Sequence, residues 1–177
     1  ALKMGESNAC MRRIVAAPTA GACGVLPAIL VPYYDSLLKN ENKEQDVAEA
    51  EEKIIKALYV AAGIGGVIAK RASISGAKGG CQAEIGSASA MSAGALTYLQ
   101  GGNETQIINS ASMALKNLLG LVCDPVAGLV EVPCIKRNVG GAVNAVSCSQ
   151  MALAGIESRV PADEVIDAMA YVGDKMD

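Results

Sequence analysis

The sequence predicts an all-α fold, a compact bundle of about six or seven buried, Ala- and Gly-rich helices with cysteine-bearing loops between them. Three observations lead there. Of 177 residues, 51% are hydrophobic but only 3% are aromatic, all of them tyrosine. A core without Phe or Trp is filled by Ala, Val, Ile, Leu, Met and Gly, which suits helices in close contact. Residues 104–119 carry the sharpest 3.6-residue periodicity, with Ile107, Ile108, Ala111, Leu115, Leu118 and Leu119 on one face. Finally, no alternating strand pattern of convincing length occurs, and no repeat.

Residues 1–13 read as a short polar-to-basic opening with Cys10, Arg12 and Arg13. The next 21 residues, Ile14 to Tyr34, are uncharged, the usual length of a membrane span. Pro18, Pro27 and Pro32, with Gly21 and Gly24, interrupt the run and argue against a span. A loop at Ala17–Gly24 feeding a buried helix is expected instead. That loop has the composition of an anion cradle, since Gly lets the backbone approach and free N–H groups attract a carboxylate or phosphate. An ordinary buried turn is the plainer reading.

A charged stretch, Lys39–Lys56, leads into a helix expected over Glu44–Ala72. From Ala57 its polar face vanishes, which predicts entry into the core. Ser73–Gly80 reads as a loop and Gln82–Leu99 as a helix beginning at Cys81, with Glu84 one turn on, where it orients a ligand or, on the plainer reading, caps the helix. Gly101-Gly102-Asn103 stops that helix and caps the next, Glu104–Leu119. Cys123–Cys134 reads as a loop whose Val and Leu residues exclude water, and Asn138–Ile156 as a buried helix carrying Cys148. The last helix is expected over Asp163–Met176, with Pro161 where a first turn tolerates it.

The length suits one domain over residues 1–177, part of a larger protein. A net charge of −3 without a basic stripe argues against a nucleic-acid partner. The chain opens Ala1-Leu2-Lys3-Met4 and ends inside a helical pattern, so a fragment lacking N- and C-terminal segments is expected. Six cysteines without a secretory leader point to a reducing, cytoplasmic setting. There is no histidine. Acid–base work near neutral pH then falls to Lys, a carboxylate, a thiol or a residue elsewhere.

Cys81, Cys123 and Cys134 stand 42 and 11 positions apart, which fits neither a zinc ribbon nor a CxxC pair. Each borders a turn signal: two glycines before Cys81, Asp124-Pro125 after Cys123, Pro133 before Cys134. Three thiolates on turns, gathered by folding, can hold three irons of a cubane cluster and leave the fourth open. Burial as small hydrophobes is the commoner fate of free cysteines. Pattern alone leaves both open.

Four segments carry a resemblance: Ala17-Pro-Thr-Ala-Gly-Ala-Cys-Gly24, Gly80-Cys-Gln-Ala-Glu-Ile-Gly86, Asn117-Leu-Leu-Gly-Leu-Val-Cys-Asp-Pro125 and Val132-Pro-Cys-Ile-Lys-Arg-Asn138. In order and interval they resemble the α chain, or α domain, of the iron–sulfur-dependent L-serine dehydratases of bacteria, over essentially the whole chain. The resemblance implies an all-helical catalytic domain and a 4Fe–4S cluster used as a Lewis acid, without pyridoxal phosphate. Cys81, Cys123 and Cys134 match the family's cluster cysteines. The implied reaction is loss of water from L-serine to give pyruvate and ammonia. The implied carboxylate site is the Pro18–Gly24 loop, with Thr19 and Gly21 as donors. Lys78, Arg137 and Asn138 are weaker candidates, and Lys78 and Arg137 read equally well as solvated cations. Cys10, Cys23 and Cys148 are expected as buried packing residues. The implied partner is a β chain or β domain supplying the base, and an oligomer is expected. Competing readings are a cluster-dependent L-cysteine desulfidase, a non-catalytic zinc module and an electron carrier. The latter two normally show closely spaced cysteines.

Overall fold

A computed structural model describes residues 1–38, 44–124, 126–127 and 131–176. Regular structure among them is helical, as expected. The elements are α1 (Leu2–Ala9), α2 (Val25–Leu38), α3 (Glu44–Arg71), α4 (Gly76–Cys81), a π-helical turn (Gln82–Gly86), α5 (Ser87–Leu99), α6 (Glu104–Lys116), α7 (Glu131–Leu153) and α8 (Ala162–Gly173).

Helix α5 is the axis. Its sequence is mostly Ala, Ser and Gly, so neighbours can approach it from every side, and each of its residues except Tyr98 is buried. Four apolar clusters surround it, and each takes α5 residues. Ala88 and Leu96 meet Val25 and Ile29 of α2. Met91, Ala95 and Leu99 meet Ala57 and Ala61 of α3. Ala90 joins Ile68, Val165 and Met169, while Ala93 joins Ala114, Ala145 and Cys148. At Gly94 the tip of Ile64 occupies the space that a Cβ would need. Two hydroxyls carried into this core find carbonyls, Thr97 Oγ1 donating to Ala93 O at 2.8 Å and Ser89 Oγ to Gly141 O at 2.8 Å, whereas those of Ser87 and Ser92 have no partner among the described residues.

The expected start of α6 is present as a reciprocal cap. The Gln106 N–H donates to Asn103 Oδ1 at 2.9 Å, and the Asn103 N–H to Gln106 Oε1 at 3.0 Å.

Other expectations need correction. The opening residues form α1, whose Gly5 lies so near α7 that a Cβ there would stand 3.1 Å from Ile135 Cα. Helix α7 begins at Glu131, seven positions before the expected start. Pro133 falls in its first turn, where a missing N–H breaks no intrahelical bond, so Cys134, Arg137 and Asn138 ride on a helix. The Ser73–Gly80 loop is already helical from Gly76, and Glu84 makes no side-chain cap. Helix α3 does not dive into the core. Ala57, Ala61 and Ile68 form one inward stripe, while Leu58, Tyr59 and Val67 remain 44%, 74% and 51% exposed. Helix α8 ends at Gly173, short of Met176. Cys23 and Cys148 are buried as expected, but Cys10 is exposed. No helix among the described residues is long and apolar enough to cross a membrane. Of the residues expected to exclude water between Cys123 and Cys134, 128–130 lie outside the described ones, as does the start of the charged run at 39–43.

Candidate metal and substrate site

The three matched cysteines come from three elements: the end of α4, the loop after α6 and the first turn of α7. Gly80 makes the first junction possible. Its φ of 71° is favoured by glycine, and a Cβ on it would lie 2.8 Å from Leu121 O and 3.3 Å from Val122 Cα. The chain thus turns into Cys81 while touching the loop that carries Cys123.

Gln82 locks that contact. Its N–H donates to Leu121 O at 2.9 Å, its Oε1 accepts from the Gly120 N–H at 2.9 Å, and its Nε2 donates to Met169 O at 3.0 Å. Arg137 completes the clamp from α7. Nη1 donates to Cys81 Sγ at 3.1 Å and to Val122 O at 3.0 Å, and Nη2 to Asp124 Oδ2 at 3.0 Å. Cys81 and Cys134 are buried, and Cys123 is exposed.

The thiols sense one another. Burial, followed by the charges of Cys81 and Glu84, pushes the Cys134 thiol up to about 12. Burial and then the charges of Cys81, Glu84 and Asp124 raise the Cys123 thiol, with Arg137 acting the other way. Ionising the thiols together is therefore costly until positive charge arrives. Among the described residues, no three Cys, His, Asp or Glu side chains are grouped as a site for one metal ion.

The Ala17–Gly24 loop is fastened beside Cys134 by Asn138, which is 1% exposed. Asn138 Oδ1 accepts from the Gly24 N–H at 2.8 Å, while Nδ2 donates to Gly21 O at 2.8 Å and Cys134 O at 2.7 Å. Within the loop, the Thr19 Oγ1 is buried with no partner among the described residues. The N–H groups of Ala20, Gly21 and Ala22 likewise have no acceptor there. A lone hydroxyl beside free N–H groups suits an anion. Gly21, Cys134 and Asn138 line a cavity of about 40 Å³ against Gly5 and Asn8. A larger groove of about 460 Å³ between α2 and α3 reaches Ala17 and Pro18 but holds no cysteine.

The full length of the chain, residues 1–177, matches the family described as "Serine dehydratase alpha chain". This chain belongs to that family. It is 52% identical to the Bacillus subtilis (strain 168) protein named "Probable L-serine dehydratase, alpha chain", with 99% of this chain and 55% of that one covered. Identity is 48% to "L-serine dehydratase, alpha chain" of Peptoniphilus asaccharolyticus, over 99% of this chain and 57% of that one. For "L-serine dehydratase TdcG" of Escherichia coli (strain K12) it is 46%, covering 99% and 37%. The chain thus spans little more than half of the first and second of these relatives, and less of the third.

The five substrate-binding candidates separate in this alpha-chain structure. Thr19, Gly21 and Asn138 lie together, with Asn138 holding the loop through its own polar atoms. Arg137 stands at the cysteines with both terminal nitrogens engaged. Lys78 is exposed on α4 and lines a separate depression of about 160 Å³ with Arg71, Ser73 and Asp174, whose lining holds no cysteine. Sequence reasoning misses Gln82, Asp124 and the placement of Glu84. Glu84 lies against the Ala17–Gly24 loop: a Cβ on Gly21 would be 3.1 Å from its Oε2, and one on Gly76 would collide with it. A buried Gln directly after a cysteine is the one signal that points to such a clamp.

Proposed function

We propose that this chain carries the metal-binding part and the carboxylate-binding part of an L-serine ammonia-lyase that works without pyridoxal phosphate. The observation that carries this is the meeting of three thiols from three elements beside a loop with unspent anion donors. The relatives' names supply the substrate.

The donor set fits a 4Fe–4S group. A single ion needs its ligands gathered round one point at about 2.0–2.3 Å, a grouping not found among the described residues. In a cubane each thiolate takes its own iron, so the three sulfurs remain neighbours without converging. The mutual electrostatic cost of three thiolates is also offset by a positively charged metal group. Cys81, Cys123 and Cys134 are the residues that would hold it. When bound, such a group supplies a Lewis-acidic iron able to polarise the C–O bond of a hydroxyl substrate.

The chain's own residues do the remaining work. Thr19 Oγ1 and the N–H groups of Ala20, Gly21 and Ala22 receive the substrate carboxylate, which lowers the cost of drawing the α-proton off beside it. Asn138 fixes the distance between that cradle and Cys134. Arg137 holds the Cys81 and Cys123 segments in register, a supporting role in place of substrate contact. The base that takes the α-proton lies outside these residues, on a β chain or β domain of a cytoplasmic oligomer.

The test is Mössbauer spectroscopy on protein reconstituted anaerobically with iron-57 and combined with its partner, with and without L-serine. A quadrupole change at one iron site of about four on adding serine is the expected outcome. A cluster that ignores serine and responds to L-cysteine makes the chain a desulfidase. Zinc without an iron–sulfur signal overturns the catalytic reading.

A further inference from the structure

Among the described residues, the carboxylates of Asp124 and Glu84 stand in the neighbourhood of the three cysteines, and they differ in one respect. Asp124 is paired with Arg137. Glu84 forms no ion pair or hydrogen bond among the described residues, although it is only partly exposed. It does not cap the helix that follows. Its place is nevertheless specified closely, because the carboxylate lies where Gly21 and Gly76 leave it room that any side chain would take. A carboxylate confined between a loop and the start of α4, without a cation of its own, is a receptor for one that arrives.

We propose that Glu84 receives the α-ammonium group of the amino-acid substrate. The inference rests on reading this site as that of an amino-acid lyase. Ammonium and carboxylate share one carbon, so their receptors must be next to each other. Glu84 meets this condition through Gly21, which belongs to the carboxylate cradle and on which a Cβ would stand 3.1 Å from Glu84 Oε2. Glu84 acts as a specificity residue: it selects 2-amino acids over hydroxy acids of the same length.

The experiment uses the complete enzyme with its partner chain and compares L-serine with 3-hydroxypropanoate, which lacks the amino group. In the unaltered enzyme L-serine should bind at least tenfold more tightly than 3-hydroxypropanoate. Glu84→Gln keeps the shape and removes the charge. It should raise KM for L-serine roughly tenfold to hundredfold, the range of a lost charge-assisted bond. Inhibition by 3-hydroxypropanoate and the visible iron–sulfur absorption should stay as they were. Equal affinity of the unaltered enzyme for the two compounds overturns the proposal without any variant. So does a Glu84→Gln enzyme with an unchanged KM, or one that loses both compounds equally, which marks a purely structural role. Glu84→Asp, which keeps the charge, should fall between the two. If the unaltered enzyme does not act on L-serine at all, the lyase reading fails first and takes this one with it.

Discussion

At the residue scale the site is organised by side chains that touch no substrate. Asn138 uses both of its amide N–H donors and its carbonyl oxygen on the Gly21 and Cys134 carbonyls and the Gly24 N–H. Asn138→Ala strands the Gly24 N–H and the Gly21 carbonyl, while Cys134 O keeps its helical partner, at about 1–3 kcal/mol each before relaxation or water entry. A net loss of about 3 kcal/mol in unfolding free energy is expected, read from the urea midpoint at unchanged m-value. The same variant should lower kcat/KM, because the cradle is no longer held one turn from Cys134. Arg137 plays the matching part for Cys81 and Cys123. Its guanidinium bridges a thiol, a carbonyl and a carboxylate, a fork geometry that lysine cannot reproduce.

At the scale of elements, the kink at Gly80 decides whether α4 and the loop after α6 can meet. Gly80→Ala forces a left-handed backbone on a residue with a Cβ and drives that Cβ toward Leu121 O. It should cost more than about 2 kcal/mol, seen as a lower thermal midpoint, and reduce the iron retained per chain after reconstitution. How far the elements can be read from sequence follows from what specifies them. Helix α6 is legible to the residue at its start because Asn103 and Gln106 form a local cap. The beginning of α7 is not, because Val132-Pro133-Cys134 has the composition of a turn as well as of a first helical turn. The exposure of α3 is illegible for a different reason: an uncharged face says that something apolar can cover it, not which chain does. The cysteines stand out by sequence, and their meeting follows from the family resemblance. The clamps by Gln82 and Arg137 and the placement of Glu84 arise from contacts between residues 8 to 87 positions apart, which no helical or strand period encodes.

At the scale of the molecule, everything is hung on α5. The cysteine turn leads directly into it, and α2, α3, α6 and α7 lie against it, so the site's geometry is set by the most enclosed part of the fold. Helix α3, by contrast, turns Leu58, Tyr59 and Val67 outward, and the groove of about 460 Å³ beside it stays open. The enclosure of α5 also has a kinetic face. An amide whose surroundings are protein on every side meets solvent only when those surroundings come apart together. Under native conditions the backbone hydrogens of residues 91–99 should therefore be the slowest in the chain to exchange with deuterium, at the rate of global unfolding, while those of α1 exchange early. The helix that carries none of the chemistry would then be the clock by which the whole molecule opens.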